Sequence, residues 1–357
     1  MLIVLSASLV KQLNASDTTQ AARQRILTPP LKNLAPGKNL QLGNFAMPKL
    51  LNERPYRDIL TMQFDFLLVD NQPNWHFTDH DLRPSRTKFD FSRIDEVVKF
   101  GNEYHMPLQM HHYLWGEEKW LPDWLKNSDY SRAELLDIIH QHIDTVGKRY
   151  SGKVREWTVV NEAFTRRQHM FGLHDWWADH VGDDLAYIDQ AFIWARAADP
   201  HSALLLNDFN NESIDTVSDE MYSYIKSARS RGIPIDGIGM LMHIDGTHLP
   251  TKQEVIANMQ RFGDLGIGVY VTEFDVNMND LKTNAADKDR IEGDIYYEML
   301  RACIESKVCH SFAYLGITDK ETWYNYLGLR DARPLMFDKN YNPKPAYFPT
   351  RQALQDQ

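Results

Sequence analysis

The chain has 357 residues, 43% of them hydrophobic and 25% charged, with a formal net charge of -10 at neutral pH. That length fits one large α/β barrel or two smaller domains, and the acidic balance argues against nucleic acid or any other polyanionic partner. No stretch is long and apolar enough to span a bilayer, so no membrane partner is expected.

Met1 to Val10 is apolar but has no positive residues before it, which reads either as the remnant of a secretion signal or as a frayed tail. Polar, aperiodic sequence follows as far as Leu31. Residues 1–31 are therefore expected to form an N-terminal extension that packs outside or stays loose, and residues 32–357 a single barrel domain. From there, short β-rich runs alternate with helical patterns. The runs are Asn39 to Met47, Thr61 to Val69, Pro107 to His111, Val154 to Val160, Ala203 to Leu206, Gly237 to Met242, Gly268 to Thr272 and Ser311 to Gly316. Eight strands separated by helices predict an α/β fold of the (β/α)8 TIM-barrel type. Leu135, Ile138, Ile139, His142, Ile143 and Val146 form one helical face, and Tyr187, Ala191, Phe192, Ala195 and Ala198 another. Pro200 closes the second helix. No repeat, linker or charge block marks a second domain.

Two of the runs, Trp157-Thr158-Val159-Val160-Asn161-Glu162 and Val269-Tyr270-Val271-Thr272-Glu273, lead straight into a glutamate. Parallel strands covered on both faces are apolar throughout, and their C-terminal ends form the active face of such a barrel. Glu162 and Glu273 are thus expected across one cleft, where paired carboxylates are the working parts of a glycosidase. Asn161 is placed to donate to a sugar hydroxyl, and His243 to hydrogen-bond a nucleophilic carboxylate. His111 and His112 end the third strand. Trp115, Trp120 and Trp124 follow in a loop-like segment where indoles could stack on sugar rings. No zinc-type motif and no glycine-rich phosphate cradle occurs, so neither metal nor cofactor is expected. The two cysteines, Cys303 and Cys309, could close a small loop or remain buried thiols.

With these segments in view, the chain resembles the family 10 glycoside hydrolases, the endo-β-1,4-xylanase family, from about Leu31 to Tyr347. The resemblance rests on Trp157 to Ala163, Ala197 to Pro200, Leu206 to Asn210, Pro234 to Gly239, Val271 to Asp275 and Asn342 to Tyr347. It implies a retaining mechanism with Glu162 as acid/base and Glu273 as nucleophile. It also implies that Asn161, His111, Trp115 and His243 surround the cleaved sugar, that Trp323 is a cleft tryptophan, and that Cys303 and Cys309 are bridged as in some secreted members. A secreted, periplasmic or cell-surface location and a monomer are expected accordingly.

The departures from the family pattern bear on the substrate. Asp70-Asn71 and Asn74 stand where the family has Glu-Asn and a lysine. Leu241 replaces a glutamine, and Leu315, with Tyr314 beside it, replaces a tryptophan. Met110 and Gly116 replace a glycine and a histidine. With Asn71, Asn74 and Tyr314 read as sugar contacts, these changes suggest a roomier pocket. Xylan is the first expectation for the polysaccharide or oligosaccharide substrate. A hexose-containing or decorated β-glycan is the second, and a non-catalytic carbohydrate-binding relative the third. Retention of both glutamates weighs against the last, because nothing structural demands a buried acid at those places.

Overall fold

The computed structural model describes residues 26–34, 40–69, 75–76, 80–182 and 185–356. Its strands are β1 (Gln41–Phe45), β2 (Phe66–Val69), β3 (Leu108–Trp115), β4 (Val154–Asn161), β5 (Ala203–Asp208), β6 (Gly237–Met240), β7 (His243–Asp245), β8 (Gly268–Asn277) and β9 (Cys309–Tyr314). The strands pair in the order β6-β5-β4-β3-β2-β1-β9-β8-β7, all ladders being parallel, and β6 also pairs with β8. The sheet is therefore closed. Gly237 to Met240 lies against Gly268 to Val271, and His243 to Asp245 against Asp275 to Asn277. Thus β6 and β7 share one of eight positions in a (β/α)8 barrel.

Long helices follow the strands: α1 (Arg54–Gln63), α2 (Ser92–Glu103), α3 (Arg132–Tyr150), α4 (Ala186–Ala198), α5 (Thr216–Ser230), α6 (Lys252–Gly263), α7 (Ala285–Ser306) and α8 (Tyr347–Gln355). Local chemistry starts them. Ser131 and Glu134 form a capping box on α3, and Thr251 and Glu254 one on α6; each satisfies backbone N–H groups that the first turn leaves without partners. The apolar faces expected on α3 and α4 are the buried ones.

Several boundaries differ from the sequence expectation. The strand expected to end at His111 and His112 runs on to Trp115, so that tryptophan ends β3 instead of lying in a loop-like segment. Thr61 to Gln63 continues α1 instead of beginning a strand, because the buried spacing Tyr56, Ile59, Leu60, Gln63 is helical and persists to that point. Residues Ile26 to Leu34 are not an outlying tail. Leu27 and Leu31, four apart, are buried, and Gln63 donates to the Leu27 carbonyl at 3.0 Å and accepts from the Leu31 N–H at 3.0 Å. Residues 1–25, with the possible signal remnant, lie outside the described residues. Finally, β8 runs past Glu273 to Asn277, so this glutamate is not at a strand end. It sits where the register against β9 shifts between Val271 and Phe274, an irregularity of the kind that re-aims a side chain.

The C-terminal segment is pinned by chemistry of its own. Lys344, almost fully buried, lies 2.9 Å from both Glu292 on α7 and Asp319, and donates to the carbonyls of Arg333 and Leu335. Removing one member of such a buried cluster leaves an uncompensated charge. Cys303, near the end of α7, is joined to Cys309 at the start of β9 by a disulfide.

Candidate active site

Glu162, directly after β4, and Glu273, at the register shift within β8, are each nearly buried, with 8% and 7% of the surface exposed. Glu162 caps the short helix Ala163–Arg167 in a left-handed conformation, φ 57°. A non-glycine residue there costs roughly 1–3 kcal/mol, and such strain persists only where the surroundings fix it. Here they do. The Glu162 N–H donates to the Asn207 carbonyl at 2.9 Å, and the Asp208 carboxylate accepts from the N–H groups of Phe164 and Thr165. Burial, with Glu162 nearby, raises the Asp208 carboxyl to about 7 despite these bonds.

The Glu162 carboxyl is held on one side. Its Oε2 accepts from Trp115 Nε1 at 2.7 Å and from Arg166 Nε and Nη2 at 2.9 and 2.7 Å. Glu273 has a different set of neighbours. Its Oε1 lies 2.7 Å from His111 Nε2 and accepts from Asn207 Nδ2 at 3.4 Å, while Oε2 lies 3.6 Å from His243 Nε2. Burial alone would raise this carboxyl, but His111 and His243 beside it prevail and hold it well below the ordinary carboxylate range. A carboxylate kept ionised in a dry site is suited to nucleophilic attack.

Each imidazole is oriented by another group. His111 Nδ1 is 2.8 Å from Thr158 Oγ1, and His243 Nδ1 is 2.9 Å from Asp275 Oδ1. Asp275 also accepts from Trp323 Nε1 at 2.7 Å and Tyr324 Oη at 3.0 Å. Burial opposes a charged His243, but Asp275 and Glu273 raise its pKa well above the usual imidazole value. Trp323, 36% exposed, packs its ring 5.1 Å from His243 and so presents an aromatic surface at the cleft. Asn207 links the two halves. Its side chain donates to Asn161 Oδ1 at 2.7 Å and accepts from Thr272 Oγ1 at 2.9 Å, while its carbonyl holds Glu162.

The structure therefore brings Glu162, Glu273, Asn161, His111, Trp115, His243 and Trp323 together. Tyr314 does not belong with them. Its ring packs on Phe64, Phe274, Tyr296 and Phe312 between the barrel and its outer helices. Side chains alternate along a strand, so Tyr314 shares the outward face of Phe312 and cannot contact a sugar in the cleft. Asn71 and Asn74 fall outside the described residues. At Gly116, where the family pattern has a histidine, Asp175 Oδ1 stands 2.0 Å from where a Cβ would be, so a side chain there would require a shift. The segment around Asp175 fills that space and backs Trp115, whose carbonyl accepts from Trp177 Nε1 at 3.2 Å. Trp120 lies stacked at 6.5 Å from Trp115, whereas Trp124 supports the wall by donating to the Arg83 carbonyl.

Asn207, Asp275, Arg166 and Glu117 were not legible as site residues. Asn207 carried a usable signal, since it follows an apolar run just as Asn161 does. Among the described residues, no group of His, Cys, Asp or Glu could hold a metal ion.

Comparisons with known proteins agree with this geometry. The family model for glycosyl hydrolase family 10 matches residues 30–353. Endo-1,4-beta-xylanase B of Thermotoga neapolitana is 32% identical over 334 residues, covering 92% of each chain. Native xylanase 10B from Thermotoga maritima superposes with a TM-score of 0.83 at 30% identity, covering 91% of this chain and 98% of that one. Xylanase 10B from Thermotoga petrophila, solved with xylobiose, also has a TM-score of 0.83 at 30% identity, covering 91% and 97% of the two chains.

Proposed function

This chain belongs to glycosyl hydrolase family 10, and from that premise we propose that it is a retaining endo-β-1,4-xylanase with Glu273 as nucleophile and Glu162 as acid/base. The observation that carries the reading is the asymmetry of the two buried carboxyls. Glu273 faces two imidazoles that keep it ionised. Glu162 has one oxygen saturated by N–H donors and the other, among the described residues, left for the reaction.

In the first displacement a Glu273 oxygen attacks the anomeric carbon, and the bond to the leaving sugar oxygen breaks as Glu162 gives it a proton. The product is a glycosyl ester on Glu273. In the second, Glu162 takes a proton from water, which attacks the same carbon and releases the sugar with its original configuration. Attack by the carboxylate itself requires the two carboxyls to stand about 5 to 5.5 Å apart. Asn207, bonded to the main chain of one glutamate and the side chain of the other, ties their positions to each other. His111 and His243, the latter held by Asp275, keep Glu273 charged, and Trp323 offers a face for a sugar ring. The disulfide between Cys303 and Cys309 supports a location outside the reducing cytosol.

A second reading keeps this chemistry on a hexose-containing or decorated β-glycan. Leu241 favours it, because a buried apolar side chain stands where the family has a glutamine. Product analysis on glucuronoxylan, arabinoxylan, mixed-linkage glucan and mannan, with Glu273→Ala as control, tests both. Xylo-oligosaccharides absent from the control support the xylanase. Products from a hexose polymer alone support the second reading, and silence on every polymer removes both.

A further inference from the structure

Arg166 lies one helical turn beyond Glu162 on the short helix Ala163–Arg167 and is only 4% exposed. Its Nε and Nη2 both donate to Glu162 Oε2. Nη2 also donates to Glu117 at 2.9 Å, Nη1 donates to the His174 carbonyl at 3.4 Å, and the guanidinium lies 5.6 Å from the Trp115 ring. Burying a guanidinium is costly, and two carboxylates compensate here.

We infer that Arg166 is the positioning residue for proton transfer in this enzyme, anchored by Glu117. The inference rests on the reading of Glu162 as acid/base. Three N–H groups, two from Arg166 and one from Trp115, converge on Oε2 and fill its acceptor capacity. The proton that moves must therefore sit on Oε1. Without the paired donors of Arg166, among the described residues only the indole of Trp115 would hold the carboxyl, and it could turn about its last torsion, which is broad and two-fold. Glu117 serves the step in which Glu162 carries its proton. Arg166 then loses one charged partner and keeps the other, so no bare buried cation is left.

The test compares kcat/KM on two substrates for Arg166→Met, Arg166→Lys and Glu162→Gln. Dinitrophenyl β-xylobioside has a leaving group that needs no proton, whereas xylohexaose has one that does. Arg166→Met should lose about 10²-fold on xylohexaose, the scale of an ångström-sized misplacement, and stay close to the parent on the dinitrophenyl substrate. Arg166→Lys can place only one donor on Oε2 and should lose roughly tenfold on xylohexaose alone; it carries the test if Arg166→Met does not fold. Equal losses on both substrates, or no loss on either, would overturn the inference. Glu162→Gln separates the two claims. If it fails to discriminate between the substrates, the acid/base reading falls; if it discriminates and the Arg166 variants do not, only the role of Arg166 falls.

Discussion

Gly239 offers a way to disable the site without touching a residue that meets substrate. It lies on β6 opposite Asn207 of β5. A Cβ added there would stand 1.8 Å from Asn207 Oδ1 and 2.7 Å from its Cγ. Ordinary contact begins near 3.4 Å, so the amide must retreat by roughly 1.6 Å. Its bonds to Asn161 at 2.7 Å and Glu273 at 3.4 Å cannot survive such a shift. The two lost bonds cost about 0.5–1.5 kcal/mol each, and the Asn161 oxygen, deprived of its donor, about 1–3 kcal/mol more. Gly239→Ala should thus be destabilised by about 2–6 kcal/mol in urea unfolding. Because Glu273 loses its bridge to the opposite half of the site, kcat/KM on xylan should fall about 10²-fold. Both effects pass through one side chain, so the double variant with Asn207→Ala should be little worse than Asn207→Ala alone. A Gly239→Ala protein with parental activity and stability, or losses that add fully in the double variant, would refute the reasoning.

Two further outcomes concern stability. His142 and His112 are buried and neutral. Burial first, then Arg83 and His112 around His142, and chiefly His111 around His112, push both well below the ordinary value of 6.5. The unfolded chain binds these protons near pH 6.5 and the folded one does not. Stability is therefore complete above that pH and is lost below it, by at most about 1.4 kcal/mol per pH unit for each histidine. His142 stacks on Trp75 at 4.0 Å, and among the described residues neither of its nitrogens has a hydrogen-bond partner. His142→Phe should keep the stack and lower the slope of urea stability between about pH 6.5 and 5 by that amount; an unchanged slope would remove the argument. Opening the short loop between Cys303 and Cys309 with Cys303→Ala/Cys309→Ala should cost about 2 kcal/mol by the chain-entropy relation, and a melt identical to the parent's would contradict it.

Much of the barrel was legible because parallel strands buried on both faces must be apolar, and that makes each run visible. The same rule exposed Glu162 and Glu273, since a carboxylate after such a run is out of place unless it works. What stayed hidden depends on pairing across distance. Nothing near Arg166 in the chain distinguishes it from a solvated helix charge, and its role exists only because Glu117, on another loop, meets it. Asp275 reads as the tail of a strand until Trp323, Tyr324 and His243 converge on it. Tyr314 failed for the opposite reason: its neighbours in sequence suggested the cleft, but strand alternation turned it outward. Leu27 and Leu31 were obscured by the polar residues around them.

The central claim is that Glu273 attacks the sugar while Glu162 manages the proton, and trapping the glycosyl-enzyme tests it most directly. The protein would be incubated with an activated 2-deoxy-2-fluoro-β-xylobioside, and the labelled peptide identified by mass spectrometry. The account predicts one stoichiometric label on Glu273, none in Glu273→Ala, and slow release that azide hastens in Glu162→Ala. A label on another residue, or turnover to an inverted product with no covalent species, would contradict it.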